Sequence, residues 1–180
     1  TNIQLEFDFN ITGSSGNGSI FLGLVQDLSW PGDPWPGIDL TGSFVNIVRD
    51  TGTGNWVGIW NRYPDGTEDT QSNVNGINYG DLNAWRKAKL TIQGSDWTLV
   101  AYSDSGTELG SLNGTFTDAF TDFNYIWLGL EYIGGGETLS GYFDNIQVSE
   151  PLSFNEDWEA GIDAVKWQVY GSPQPIIVES

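Results

Sequence analysis

Leu5-Glu6-Phe7-Asp8-Phe9-Asn10-Ile11 alternates apolar and polar residues without a break. Successive side chains of a strand point to opposite faces, so Leu5, Phe7, Phe9 and Ile11 share one face and Glu6, Asp8 and Asn10 the other. The stretch predicts a strand covering one side of a core. A Gly- and Ser-rich turn over 13–18 leads into residues 19–26, where Ile20, Phe21, Leu22, Leu24 and Val25 are apolar on both faces. That pattern predicts a central strand, because only a strand covered on both sides can carry it.

Working outward, similar runs recur at 44–49, 55–61, 85–93, 97–102, 124–132 and 139–149, separated by Gly, Asp, Asn and Pro clusters. No stretch has convincing helical periodicity. Parallel pairing would need crossover helices, so the expectation is an all-β protein: an antiparallel sandwich or jelly roll. At 180 residues the chain suits a single domain of that kind.

Composition narrows the partners. Six basic residues against 24 acidic ones give a formal charge of −18, which repels polyanions and argues against nucleic acid and acidic membranes. No apolar run approaches a membrane span, and no basic leader precedes the first strand. The chain is read as extracellular, with any signal peptide removed. With no cysteine and no histidine, disulfides, thiolate and His-based zinc sites, and Ser-His-Asp or Cys-His catalysis are all excluded.

Four segments in order carry a family likeness: Trp85-Arg-Lys-Ala-Lys-Leu-Thr-Ile-Gln-Gly, Asp96-Trp-Thr-Leu-Val-Ala-Tyr, Tyr125-Ile-Trp-Leu-Gly-Leu and Gly141-Tyr-Phe-Asp-Asn-Ile-Gln-Val. Together they resemble the concanavalin A-like lectin and glucanase superfamily, including its laminin-G-like modules. The resemblance implies a jelly-roll β-sandwich of two antiparallel sheets. In that superfamily a segment like Phe154-Asn-Glu-Asp-Trp-Glu-Ala-Gly, followed by Lys166-Trp167, opens a domain. Here it follows the closing strand, so the order looks circularly permuted, with residues 151–180 supplying the opening strands of one domain over 1–180. Strand exchange with a neighbouring copy, or a second repeat begun at 151, are the alternatives.

Catalysis has little to work with. Glu6-Phe-Asp8-Phe-Asn10 resembles the catalytic strand of retaining glucanases of this superfamily, where a second glutamate should stand at or beside position 10. Retaining hydrolysis needs two carboxyl groups about 5 Å apart, one able to donate a proton, and an amide cannot. No catalytic residue is assigned.

Binding is better provided for. Sugar rings stack their C–H faces on aromatic planes while their hydroxyls bond to polar side chains, and the chain has nine tryptophans, seven tyrosines and nine phenylalanines. Trp56 and Trp60 share one strand face, about 13 Å apart at ~3.3 Å per residue, a span suited to a few sugars. Arg62 and Tyr63 follow them, and Trp30 and Trp35 stand in a proline-stiffened loop. Each tryptophan could instead serve the core, whereas Trp97, Trp127, Trp158 and Trp167 read as core or edge packing.

The resemblance also implies a structural calcium, held by Asp144 of Phe143-Asp144-Asn145 with oxygens near Asn155, Asp157 and Gly161. The acidic loop with Asp65, Glu68 and Asp69 is a weaker candidate. The expectation is therefore a secreted, lectin-like module that binds a polysaccharide or glycan and catalyses nothing. The alternatives are a structural repeat of an adhesin or surface filament, or a glycoside hydrolase or polysaccharide lyase.

Overall fold

A computed structural model describes residues 2–12, 17–27, 41–52, 54–63, 67–71, 76–118, 120, 122–133, 139–149 and 154–156. All regular structure among them is β. In chain order the strands are β1 (Asn2–Thr12), β2 (Asn17–Asp27), β3 (Thr41–Arg49), β4 (Trp56–Arg62), β5 (Glu68–Gln71) and β6 (Ile77–Asn78). They continue with β7 (Arg86–Gln93), β8 (Asp96–Ser103), β9 (Glu108–Thr115), β10 (Tyr125–Ile133), β11 (Ser140–Ser149) and β12 (Phe154–Glu156).

Two antiparallel sheets form. One runs β12-β11-β1-β7-β8-β9, here the back sheet; the other runs β10-β2-β3-β4-β5, with β6 also on β4, here the front sheet. The core lies between them. The back sheet contributes Leu5, Phe7, Phe9 and Ile11 from β1 with Leu90, Leu99 and Val148, and the front sheet contributes Ile20, Leu22, Leu24, Val45, Ile47, Val57 and Ile59. Burying each such side chain stabilises the fold by about 1.5–3 kcal/mol, and β1 keeps its period-2 burial along its whole length. As the two-faced run over 19–26 predicts, β2 is central, paired with β10 on one side and β3 on the other.

Next to the edge strand β12, the pairing of β1 with β11 slips by one residue. Glu6 faces Gln147 and Asp8 faces Asp144, so Phe7 opposes two residues, Asn145 and Ile146. Asn145 takes a left-handed backbone (φ 50°), which asparagine tolerates better than most residues. This β-bulge resets the alternation. Phe143 and Ile146 both pack on the core, and Asp144 is left on the side of Asp8.

The tail that suggests a permuted order enters the description only as β12, which pairs antiparallel with β11 through Val148–Phe154, Gln147–Asn155 and Ile146–Glu156. The rest of 151–180 lies outside the described residues.

Candidate functional site

The outward surface of the front sheet is aromatic. In one cross-strand row Trp127 faces Gly23, Gly23 faces Phe44 and Phe44 faces Trp60. In the next row Phe21 stands between Gly129 and Asn46. The small residues make room for the large ones: a Cβ added at Gly23 would collide with the ring of Phe44, and one at Gly129 with the ring of Trp127. Phe44 therefore lies 5.6 Å from Trp60 and 5.8 Å from Trp127, while Phe21 lies 6.0 Å and 6.4 Å from the same two rings.

These rings form a second hydrophobic cluster, separate from the inter-sheet core, in which Phe21, Val25 and Phe44 are buried and Trp60 and Trp127 are partly exposed. Tyr125, 45% exposed, extends the surface along β10. Tilted and edge-on ring pairs at these distances hold one another in place. The two tryptophans are thus fixed at either side of a phenylalanine floor. Beside them Asn46 Oδ1 is buried and makes no hydrogen bond within the described structure.

A carboxylate anchors one end of the row. Glu68, cross-strand from Arg62, accepts from Trp60 Nε1 at 3.2 Å through Oε2 and from Arg62 Nη1 at 3.1 Å through Oε1. Its neighbour Asp69 points the other way, accepting from the Tyr63 hydroxyl and from Thr117 Oγ1 at 3.0 Å. Adjacent residues of β5 thus serve opposite faces, so Glu68 and Asp69 do not converge as a metal site. Asp65 lies outside the described residues.

The six residues named for binding part company here. Trp60 and Arg62 stand on the aromatic surface. Trp56 shares their strand phase but is buried, its ring packed beneath Gly76. Tyr63 is turned into the core, 1% exposed, stacked on Phe120 at 5.4 Å. Burial, followed by the bond to Asp69, pushes its phenol pKa up. Trp30 and Trp35 lie outside the described residues, as do Trp158 and Trp167. Sequence reasoning missed Phe21 and Phe44, read Trp127 as core or edge packing and named Glu68 only as a weaker calcium candidate. The signal it could have used is the pair of glycines, Gly23 and Gly129, set among large apolar residues in two predicted strands.

The back sheet's outward surface has a different chemistry. Glu6 and Asp8 face Lys89 and Lys87 across β1 and β7, and Lys87 Nζ lies 2.6 Å from Glu6 and 4.0 Å from Asp8. The hydrogen bond to Glu6 is the main reason the Lys87 ammonium has a raised pKa. Glu6 is therefore committed to an ion pair, with the amide of Asn10 further along the strand.

Of the residues named for calcium, Asp144 sits opposite Asp8 on this surface. Its Oδ1 accepts from the backbone N–H of Asn145 at 2.8 Å, and Asn145 Nδ2 donates to Asp8 Oδ2 at 2.7 Å. Asn155 lies on β12 opposite Gln147; Asp157 and Gly161 are outside the described residues. Hard carboxylate oxygens suit calcium, which takes six to eight. Among the described residues no group of three or more His, Cys, Asp or Glu side chains converges to hold a metal ion.

No protein-family model matches the sequence, and no curated protein matches it. Solved structures do resemble its shape. The exoplasmic/lumenal domain of VIP36 in its Ca2+/Man3GlcNAc-bound form aligns at a TM-score of 0.57 and 10% identity, covering 90% of this chain and 73% of that one. Its Ca2+/Man2-bound form aligns at 0.57 and 12%, covering 97% and 76%. Winged bean acidic lectin complexed with methyl-alpha-D-galactose aligns at 0.49 and 15%, covering 83% and 72%. With two facing antiparallel sheets and no helix among the described residues, the chain has the concanavalin A-like lectin fold, a jelly-roll β-sandwich.

Proposed function

We propose that this chain is a non-catalytic, lectin-like module that binds a polysaccharide or glycan on the outward surface of its front sheet. The observation that carries the reading is the row Trp60–Phe44–Trp127 over Phe21. Two partly exposed indoles held in fixed orientation lose little entropy when a sugar ring stacks on them. Arg62 and Glu68 stand beside them to meet hydroxyl groups. The aligned VIP36 domain, with its bound mannose-containing oligosaccharides, adds support at the level of fold.

A hydrolytic role is disfavoured by the amide at Asn10 and by the pairing of Glu6 with Lys87. We place the module outside the cell or in a lumenal compartment, where such glycans are met. A calcium held by Asp144 together with Asn155, Asp157 and Gly161 would tie the tail to β11. Binding of the ion would then stabilise the fold as any ligand of the native state does.

Intrinsic tryptophan fluorescence during titration with a panel of soluble polysaccharides, with and without a chelator, tests this reading. A saturable shift for one glycan with no new reducing ends, weakened about tenfold or more in Trp60→Ala, is the expected result. A flat response across the panel, or a shift that survives both Trp60→Ala and Trp127→Ala, would reject it.

The pairing of β12 with β11 of the same chain supports closure within one domain over the other reading, a structural repeat of an adhesin or surface filament whose tail joins a neighbouring copy. Light scattering at high concentration separates the two: growth of dimers or chains favours exchange, and a strict monomer removes it.

A further inference from the structure

We propose that Arg49 and Arg86 form a second binding site, at one end of the sandwich, for an oxyanion: a carboxylate or sulfate, free in solution or carried on an acidic saccharide. The site is separate from the front-sheet surface and goes beyond the reading proposed for it.

Strand phase brings the two arginines together. Arg49, the last residue of β3, has the phase of Val45 and Ile47, and Arg86, the first residue of β7, has the phase of Ala88, Leu90 and Ile92. All five of those apolar residues enter the core, so the arginines hold inward positions on opposite sheets. Arg49 pairs with Gly18 at the start of β2 and Arg86 with Phe9 toward the end of β1, which puts both at the end where β1 gives way to β2. Tyr79 spans the gap. Its carbonyl accepts from Arg86 Nε at 3.0 Å, and its hydroxyl donates to the carbonyl of Val48, next to Arg49, at 3.1 Å. Burial raises the Tyr79 pKa, and the charges of Arg49 and Arg86 act against that rise.

Neither guanidinium forms an ion pair among the described residues. Arg86 donates from Nε and Nη1 to the carbonyls of Tyr79 and Trp85, which satisfies donors without neutralising the charge. Arg49 Nη1 is buried and has no hydrogen-bond partner. A charged group denied both water and a partner is costly to keep, and this chain has 24 acidic residues from which a partner could have been drawn. Two such guanidiniums at one rim suit a ligand that brings the negative charge itself. Their planar forks of N–H donors match the oxygens of a carboxylate or sulfate. Access is open on one side: Gly80, beside Arg86 Nη2, and Trp85 are both exposed. The formal charge of −18 does not forbid such a ligand, because at physiological salt charges more than about 8 Å apart are largely screened.

Calorimetric titration with sodium sulfate, sodium acetate and trigalacturonate, each against sodium chloride at equal ionic strength, tests the site. The proteins are wild type, Arg49→Gln, Arg86→Gln and, as a charge control on the outer face of the back sheet, Lys89→Gln. At least one probe should give a saturable heat in wild type, weakened about tenfold or more in each arginine variant and retained in Lys89→Gln. Saturation by sulfate or acetate would assign the site to a free anion, and saturation by trigalacturonate alone to a saccharide-borne carboxylate. Arg86→Gln gives up two bonds to the backbone, so Arg49→Gln carries the structural control. Its Nη1 has no partner to lose, and its urea midpoint without probe should match or exceed that of wild type.

No saturable heat from any probe would overturn the proposal. So would a heat that survives either arginine variant, or one that disappears equally in Lys89→Gln. A lower midpoint for Arg49→Gln without probe would give that guanidinium a structural role and overturn the proposal as well.

Discussion

The two sheets present the same face to the core and opposite faces to the outside. Inward, both carry fully buried aliphatic and aromatic side chains in strict alternation, Leu5 and Phe7 on one and Leu22 and Ile47 on the other. Outward, the back sheet carries Glu6, Asp8, Lys87 and Lys89, while the front sheet carries Phe21, Phe44, Trp60 and Trp127. Core packing explains the inward likeness and cannot explain the outward difference. A sheet needs one apolar face to fold. A second apolar face adds a contiguous patch that favours association, and soluble proteins keep such patches for binding. The comparison teaches that the front sheet is where the molecule departs from the demands of folding.

The largest effect that bears on this contrast concerns Phe44, fully buried although it faces away from the core. Phe44→Ala should destabilise the protein by about 3–5 kcal/mol, measured by urea unfolding. A loss below about 1 kcal/mol would mean that the outer rings are not a packed second cluster. Next, Trp60→Ala, at a partly exposed ring of the same cluster, should cost less stability than Phe44→Ala while weakening glycan binding. Comparable losses of stability and affinity would blur the distinction between the phenylalanine floor and its flanking tryptophans.

The smallest effect belongs to the back sheet. The Lys87–Glu6 pair is half-exposed, and such pairs contribute less than about 1 kcal/mol. The Lys87 pKa is raised in the folded state, first by its hydrogen bond to Glu6. Its stabilisation is fully present below the ordinary lysine pKa of about 10.4 and is lost as pH climbs through the raised folded value. Melting temperatures of wild type and Lys87→Met should therefore differ slightly at neutral pH and converge in strong alkali. A gap that widened with pH would reverse the assignment. The same substitution should not touch glycan affinity, whereas a clear change would move the binding surface to the back sheet.

Much of this was legible in the amino-acid order. Alternation at Leu5–Ile11 specified which side chains of β1 enter the core, and the two-faced run of β2 specified its central place, because a period of two is a local property of an extended chain. The missing second carboxylate at Asn10 was equally legible. The binding surface was less so. Trp60 and Arg62 were named, but Trp56 and Tyr63, close by in the chain, went to buried positions. Alternation tells which residues share a side of a strand, but how much covers that side is set elsewhere: Gly76 lies on Trp56, and Phe116 and Phe120 close over Tyr63.

By itself the sequence determined an all-β chain, the inside and outside of β1, and the absence of any histidine- or cysteine-based chemistry. Tertiary structure alone decided that Phe21, Phe44, Trp60 and Trp127, from four different strands, meet on one outward surface, and that Glu68 joins Trp60 to Arg62. The reason is register. Which residues become neighbours across a sheet depends on how strands distant in sequence align, and a slip of one residue would turn every ring to the other face.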